Sequence, residues 1–150
     1  VLMAAGLETP GDAIVRQTEY LAQLDGVVNA GEQIQIDGAR RDAVAMGNLA
    51  TGGEVAGPPP YGLPRSYWVD IYSYDPIETM RRASRPVLLM QGGRDYQVRP
   101  EDLARWEQGL SGEPDVSAKR YPRADHLFIE EGIHVAEVVV ADVGAWIMAH

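Results

Sequence analysis

The chain has 150 residues, 45% of them hydrophobic, which is enough for one domain with a hydrophobic core. Its formal net charge of −9 argues against nucleic acid and anionic membranes as partners, because both are themselves negatively charged. The absence of cysteine excludes disulfides, thiolate chemistry and cysteine-based zinc sites. No apolar run approaches the roughly 18 residues that a membrane span needs, so no membrane partner is expected.

The first residues predict a strand. The apolar run from Val1 to Ala5 is closed by Gly6, as expected of a strand buried in a sheet. The chain begins without an initiator methionine and without the basic flank of a signal peptide. We therefore expect it to be part of a longer protein, and we leave its compartment open while favouring the cytoplasm.

Two helices are predicted next. Thr9, Pro10 and Asp12 supply an N-cap, a proline at the first helical position and an acid three residues after the cap. Apolar residues at helical spacing then continue to about Gly26. A second and weaker helical pattern, with charged residues on its other faces, covers residues 30–47.

Residues 51–64 are the richest segment in glycine and proline, which favours a loop over a helix or a strand. This loop is either a linker or a mobile lid. Four aromatic residues follow it closely, and they either pack a core or line a substrate pocket. They are Tyr67, Trp68, Tyr72 and Tyr74. A short helix then starts at Asp75-Pro76 and runs to about Ala83.

The second half of the chain alternates strands and helices. Apolar residues 87–90, between Pro86 and the Gly92-Gly93 turn, predict a strand that is buried on both faces. The remaining predicted elements are a helix from Pro100 to about Leu110, a strand from Val116 to Tyr121 and a helix from about His134 to Ala149. Valines 138–140 could also indicate a strand, but the length of the last pattern favours a helix. This alternation predicts an α/β fold with a parallel sheet.

Two residues that could take part in catalysis follow consecutive predicted strands. Asp95 comes after the first of these strands and His126 after the second. The carboxyl ends of adjacent parallel strands meet at one edge of a sheet, where open α/β sheets place their ligands. A carboxylate against an imidazole fixes the tautomer of the histidine and prepares it to act as a general base. The alternatives are an Asp95 that caps the next helix and a His126 that is only structural.

Two segments resemble the α/β-hydrolase superfamily. The run RPVLLMQGGRDYQV at 85–98 is similar to the strand and turn that carry the acid, and YPRADHLF at 121–128 is similar to the histidine turn. The match is closest to bacterial esterase-like and acyl-peptidase-like members. In these a segment similar to residues 67–76 precedes the acid strand, and a His-Val pair similar to His134-Val135 opens the last helix.

This resemblance implies a partial α/β-hydrolase fold with about three parallel strands, flanking helices and a helical cap insert. Residues 1–6 would be a core strand, 7–64 the cap-like insert with its Gly/Pro loop, and 65–150 the core that bears the acid and the histidine. By the same likeness Asp95 is the acid and His126 the base of a catalytic triad. The chain would then be the C-terminal portion of a serine hydrolase that cleaves an ester, thioester or peptide bond, acting on a small-molecule ester or a peptide.

The chain departs from this family at the nucleophile. No Gly-x-Ser-x-Gly elbow occurs, and the nearest approach, around Ser111, lacks the last glycine and ends a predicted helix. We do not expect Ser111 to be a nucleophile, and the same holds for four other serines. They are Ser66, Ser73, Ser84 and Ser117. The chain alone is therefore expected to be inactive.

Few other residues indicate a site. His134 and His150 are interpreted as a polar group at a helix start and a frayed terminus, and the histidine spacing does not fit a zinc site. Gly92-Gly93 is too short for a phosphate-binding pattern, so no cofactor is expected. Because a strand at Val1 to Ala5 would be an unpaired edge, we expect a homo-oligomer or association with a missing N-terminal half. The alternative function is a non-catalytic α/β interaction module.

Overall fold

The computed structural model of this protein describes residues 8–150. The described chain falls into two compact units that divide between Asp75 and Pro76. The expected strand at Val1 to Ala5 lies outside the described residues. Residues 65–75 belong to the first unit. The end of a cap-like insert at residue 64 stays a prediction.

The first unit is helical, and its first helix begins as the sequence predicts. Helix α1 spans Pro10–Ala22. The Thr9 hydroxyl accepts a hydrogen bond from the Asp12 N–H at 3.1 Å, and Asp12 Oδ2 accepts one from the Thr9 N–H at 3.3 Å. This reciprocal capping box satisfies two backbone donors that a helix start would otherwise leave unpaired.

Helix α2 is longer than its weak apolar pattern predicts. It spans Ala30–Ala50, and it begins at a second capping box that joins Asn29 and Glu32. Asn29 Oδ1 accepts from the Glu32 N–H at 3.0 Å, and Glu32 Oε2 accepts from the Asn29 N–H at 2.7 Å. Asparagine followed three residues later by glutamate is therefore the sequence signal that fixes this start.

Helix α3, Arg65–Ser73, completes the first unit after the Gly/Pro-rich loop. That loop contains one short 3-10 turn at Pro60–Gly62. Trp68 packs with Met46 and Leu49 of α2 in a buried cluster. A core role is thereby confirmed for Trp68, while Tyr67 and Tyr74 stay 41% and 52% exposed.

The second unit contains the predicted alternation of helices and strands. Its elements are α4 Pro76–Ala83, β1 Val87–Gly92, α5 Pro100–Gly109, β2 Val116–Tyr121 and α6 Glu137–Ala149. The strands β1 and β2 pair in parallel, with Val87 opposite Val116 and Gly92 opposite Tyr121. The fold is therefore α/β, as predicted. Within residues 8–150 the sheet has two strands, so the third strand that was expected remains a proposal.

Two apolar clusters hold the second unit together. Trp106 and Leu110 of the α5 segment pack against Val87 of β1. At the other end of the strands, Tyr121 packs with Ala124 and with Val139 of α6. The crossover helix and the last helix are each fixed to the sheet by burial of large side chains, the main favourable contribution to such packing.

The last helix begins later than predicted. The apolar pattern predicts a start at about His134, but α6 begins at Glu137, so His134 and Val135 precede the helix. Gly132 has φ +76, and the Ala136 N–H donates to the Phe128 carbonyl at 2.9 Å. The chain therefore turns back onto the loop after β2 before the helix can begin. No helix in the described part of the chain is long and apolar enough to cross a membrane.

Candidate active site

Asp95 and His126 are in direct contact at one edge of the sheet. The parallel register places Gly92 opposite Tyr121, so both strands end at the same level. The turns that follow bring Asp95 Oδ2 to 2.9 Å from His126 Nδ1. The two side chains are thus brought together, as expected for residues that follow adjacent parallel strands.

The Asp95 carboxylate has separate partners for its two oxygens. Oδ1 accepts from the backbone N–H of Gln97 at 2.8 Å and of Val98 at 3.0 Å, which leaves Oδ2 for His126. The Asp95 side chain is only 7% exposed. Asp95 does not cap α5, which begins at Pro100. Its hydrogen bonds to Gln97 and Val98 instead stabilise the loop that precedes this helix. Three hydrogen bonds hold the carboxylate in one orientation, since an aspartate side chain has few rotatable bonds.

His126 is more accessible than its partner, with a side chain that is 34% exposed. A carboxylate accepts hydrogen bonds and does not donate them, so Nδ1 carries the proton in the contact with Asp95. No residue in the range 8–150 forms a hydrogen bond with the second ring nitrogen, Nε2. A neutral His126 in this tautomer has a lone pair on Nε2, which can accept a proton from a hydroxyl or from water.

The two turns can meet because two glycines remove the side chains between them. A Cβ atom on Gly92 would lie 2.6 Å from the Ala124 carbonyl oxygen, and one on Gly93 would lie 2.5 Å from that of Pro122. Both distances are shorter than real Cβ contacts. The Gly93 N–H also donates to the Tyr121 carbonyl at 2.8 Å. The close approach of the two turns therefore explains why both positions are glycine.

The turn that carries His126 is organised by its neighbour Asp125. Asp125 Oδ1 accepts from the backbone N–H of Leu127 at 2.9 Å and of Ile129 at 3.0 Å. This confirms the interpretation of Asp125 as a turn former. Phe128, with φ +60, packs edge-on against the Tyr121 ring at 5.8 Å between centroids. The loop is thus fastened to β2 through a residue that follows the histidine by two positions.

Two arginines stabilise the turns: Arg94 joins the two, and Arg123 acts within the one that follows β2. The Arg94 guanidinium donates to the Glu130 carbonyl oxygen at 2.7 Å, and the Arg94 N–H donates to the Ala124 carbonyl at 2.9 Å. Arg123 pairs with the Glu130 carboxylate at 2.6 Å. Arg94 follows β1, whereas Ala124 and Glu130 follow β2, so the two bonds of Arg94 hold together the loops that carry Asp95 and His126.

A polar cluster that was not predicted from the sequence joins β2 to α6. The Tyr121 hydroxyl donates to Asp142 Oδ2 at 2.9 Å, and Lys119 Nζ lies 2.5 Å from Asp142 Oδ1. Burial and the hydrogen bond to Asp142 raise the pKa of Tyr121 to about 12. The hydrogen bonds from Lys119 and Tyr121 lower the pKa of Asp142. This cluster connects α6 to β2. Its residues are 21 positions apart in the case of Tyr121 and Asp142, so no local sequence pattern predicts the contact.

Gln91 is a second residue near the site that was not predicted from the sequence. This residue is polar in an otherwise apolar strand, and it is 5% exposed. A buried amide in a strand is itself a signal, because such groups are found with hydrogen-bond partners. Its Nε2 donates to the Val98 carbonyl at 2.8 Å, in the loop that follows Asp95.

The other candidate residues of this unit take no part in the contact between Asp95 and His126. Ser111 lies in the turn between α5 and β2, and Ser117 pairs with Leu88 near the start of the strands. His134 is exposed, and His150 stacks on Trp146 at 4.7 Å between ring centroids. Among the described residues, no group of three or more acidic or histidine side chains is placed to hold a metal ion.

Comparison with known proteins identifies a similarity to one part of an esterase. The sequence matches no protein-family profile, and no solved structure matches it. It is 33% identical over 98 residues to the esterase EstD of Thermotoga maritima. The similar region covers 58% of this chain and 24% of that esterase. The chain therefore spans about a quarter of the length of this curated relative.

Proposed function

We propose that this chain supplies the acid and the base of a serine hydrolase of the α/β-hydrolase type, with Asp95 as the acid and His126 as the base. The observation that carries the proposal is the 2.9 Å contact between Asp95 Oδ2 and His126 Nδ1 at the carboxyl edge of two parallel strands. The partial sequence similarity to an esterase supports it independently. The proposed substrates are esters, thioesters or peptides.

In the proposed reaction each group has its own step. His126 Nε2 takes the proton of the nucleophile's hydroxyl as that oxygen attacks the carbonyl carbon of the substrate. It then passes the proton to the leaving alcohol, thiol or amine, and an acyl-enzyme remains. In the second half, Nε2 takes a proton from water as the water oxygen attacks the acyl carbon. It returns the proton to the nucleophile oxygen as the bond from that oxygen to the acyl carbon breaks, and the carboxylic acid leaves. Asp95 stabilises the imidazolium in both halves, because its Oδ2 already faces Nδ1.

The nucleophile is proposed to come from outside this chain. The sequence contains no Gly-x-Ser-x-Gly elbow, and none of the serines of the second unit lies beside His126. An acid and a base without a nucleophile have no hydroxyl to activate. We therefore expect the 150-residue chain alone to be inactive towards esters.

Association with the part that carries the nucleophile is included in the proposal. Strand β1 pairs with β2 along one edge, and the run Val1 to Ala5 is proposed to add a third parallel strand to this sheet. A homo-oligomer is the other proposed arrangement. Both would cover strand edges, which otherwise tend to pair with further chains.

The test uses the coding sequence that precedes Val1. We expect a Gly-x-Ser-x-Gly elbow there, and the longer protein should hydrolyse a chromogenic ester and react with a fluorophosphonate probe. His126→Ala should abolish both activities, whereas His134→Ala should not, because His134 is exposed and takes no part in the contact between Asp95 and His126. A longer protein with no elbow and no probe labelling would overturn the proposal and leave an α/β interaction module.

A further inference from the structure

We infer that Gln91 is a positioning residue for this site: its buried side-chain amide holds the loop that orients the Asp95 carboxylate towards His126. The inference rests on the proposed function for its consequence in catalysis. The contacts that support it lie in the second unit and involve no residue of the nucleophile's part.

Gln91 occupies the one polar position within the otherwise apolar strand β1, next to its last residue, Gly92. It is 5% exposed, and its Nε2 atom donates both to the Val98 carbonyl at 2.8 Å and to the Gly92 carbonyl at 3.0 Å. Burial of an amide is unfavourable unless its hydrogen bonds are formed. A leucine or valine could fill this buried position of the strand, so the amide indicates a role beyond packing.

The Val98 backbone links Gln91 to the acid. The Val98 N–H donates to Asp95 Oδ1 at 3.0 Å, while the Val98 carbonyl accepts from Gln91. The peptide groups on both sides of Val98 are therefore anchored, one to the acid and the other to the end of β1. If Gln91 released the carbonyl, the peptide group after Val98 would lose one of its two anchors, and the bond from the Val98 N–H to Asp95 Oδ1 would be held less firmly.

The next residue is anchored to α5. The Arg99 N–H donates to Asp102 Oδ2 at 2.9 Å, and Asp102 is 1% exposed in the first turn of that helix. The loop is thus held in series by a buried amide and a buried carboxylate, with Asp95 at its start. This arrangement keeps a carboxylate oxygen against the imidazole, and an acceptor at Nδ1 fixes the tautomer of His126.

The experiment compares Gln91→Met with Gln108→Met in the full 150-residue chain. Methionine fills a similar volume to glutamine but donates no hydrogen bond. Gln108 is exposed on α5, so the same chemical change there tests only the loss of a surface amide. The readouts are the imidazole nitrogen shifts of His126, which report its tautomer, and the exchange of its Nδ1 proton with solvent.

In the wild-type chain and in Gln108→Met we expect the Nδ1–H tautomer with a slowly exchanging proton. In Gln91→Met we expect the Nε2–H tautomer to appear and the Nδ1 proton to exchange about tenfold faster, as for the loss of one hydrogen bond. A folded Gln91→Met with the wild-type tautomer and the wild-type exchange rate would overturn the inference.

A measurement on the wild-type chain covers the case in which Gln91→Met does not fold. A scalar coupling across the hydrogen bond from the Gln91 side-chain nitrogen to the Val98 carbonyl carbon supports the inference, and its absence together with rapid exchange of the amide protons overturns it. These readouts need no catalysis. A longer protein that fails to hydrolyse esters would remove the proposed function but not the role of Gln91 in orienting Asp95.

Discussion

Asp95 contacts His126 through one carboxylate oxygen, Oδ2, at 2.9 Å, and its other oxygen is held by two backbone amides. This division matters because it prevents the carboxylate from rotating to another partner. The imidazole is therefore presented with its Nδ1 proton bound and its Nε2 lone pair available.

Asp95→Asn should reverse this arrangement. An asparagine amide that faces Nδ1 can donate to it, which places the proton on Nε2 and removes the base. In the longer protein we expect kcat to fall about 10⁴-fold, the scale seen when a triad histidine is held in the wrong tautomer. Steady-state kinetics measure the fall, and nitrogen shifts of His126 in the 150-residue chain measure the tautomer.

Asp115→Asn is the matched control, because Asp115 is exposed and precedes β2 at the far end of the strands. It makes the same change of charge and should leave both measurements at the wild-type values. An Asp95→Asn variant that retains kcat within a factor of about ten would contradict the assigned role of the acid.

Gly92→Ala should separate the two turns of the site. The added Cβ would lie 2.6 Å from the Ala124 carbonyl oxygen, and neither backbone can move without breaking the bonds between the turns. We expect a loss of about 1–3 kcal/mol in the free energy of unfolding, as for other overpacked positions, together with a weaker Asp95–His126 contact. Denaturant unfolding and the His126 proton resonance measure the two effects.

Gly144→Ala provides the comparison, since Gly144 lies within α6 and a Cβ there would meet nothing within 4 Å. It should stabilise the chain by about 0.5–1 kcal/mol, because alanine is the better helix former. Equal effects of the two substitutions would show that close approach of the turns is not the reason for Gly92.

Asp142→Asn should make the free energy of unfolding depend less on pH in the acid range. The Lys119 and Tyr121 hydrogen bonds lower the pKa of Asp142 below its ordinary value of 3.8. A carboxyl whose pKa is lower in the folded state contributes stability above the unfolded value, and this contribution is lost as the pH falls through the folded value. The variant should therefore be less stable than the wild-type chain at neutral pH, and the difference should shrink below pH 3.8.

Urea unfolding at several pH values measures this difference. Glu131→Gln, at an exposed position in the loop before α6, serves as the control and should show no comparable change. A difference between Asp142→Asn and the wild-type chain that stays constant from neutral to acid pH would refute the proposed coupling of α6 to β2.

Tyr121 should ionise only in strongly alkaline solution. Its pKa is raised to about 12, so the stability that its protonated hydroxyl contributes is complete below pH 10 and is lost as the pH rises towards 12. Titration followed by ultraviolet absorbance should show a tyrosine that ionises near pH 12, and Tyr121→Phe should remove this step. Tyr74→Phe, at a residue that is 52% exposed, should retain that step.

The sequence by itself determined the local elements, because their signals lie within a few residues. The capping box of Thr9 and Asp12 fixed the start of α1, and the apolar run after Pro86 fixed β1. The strand from Val116 to Tyr121 was predicted to the residue. The same local order placed Asp95 and His126 at the ends of successive strands.

Only the tertiary structure decided how these elements become a site. The parallel register aligns Gly92 with Tyr121, the glycines admit backbone contact between the turns, and the Val98 amide selects the oxygen of Asp95 that faces His126. The later start of α6 likewise follows from the bond between Ala136 and Phe128. These features depend on the packing of separate segments, and a sequence pattern carries no direct record of which segments will pack together.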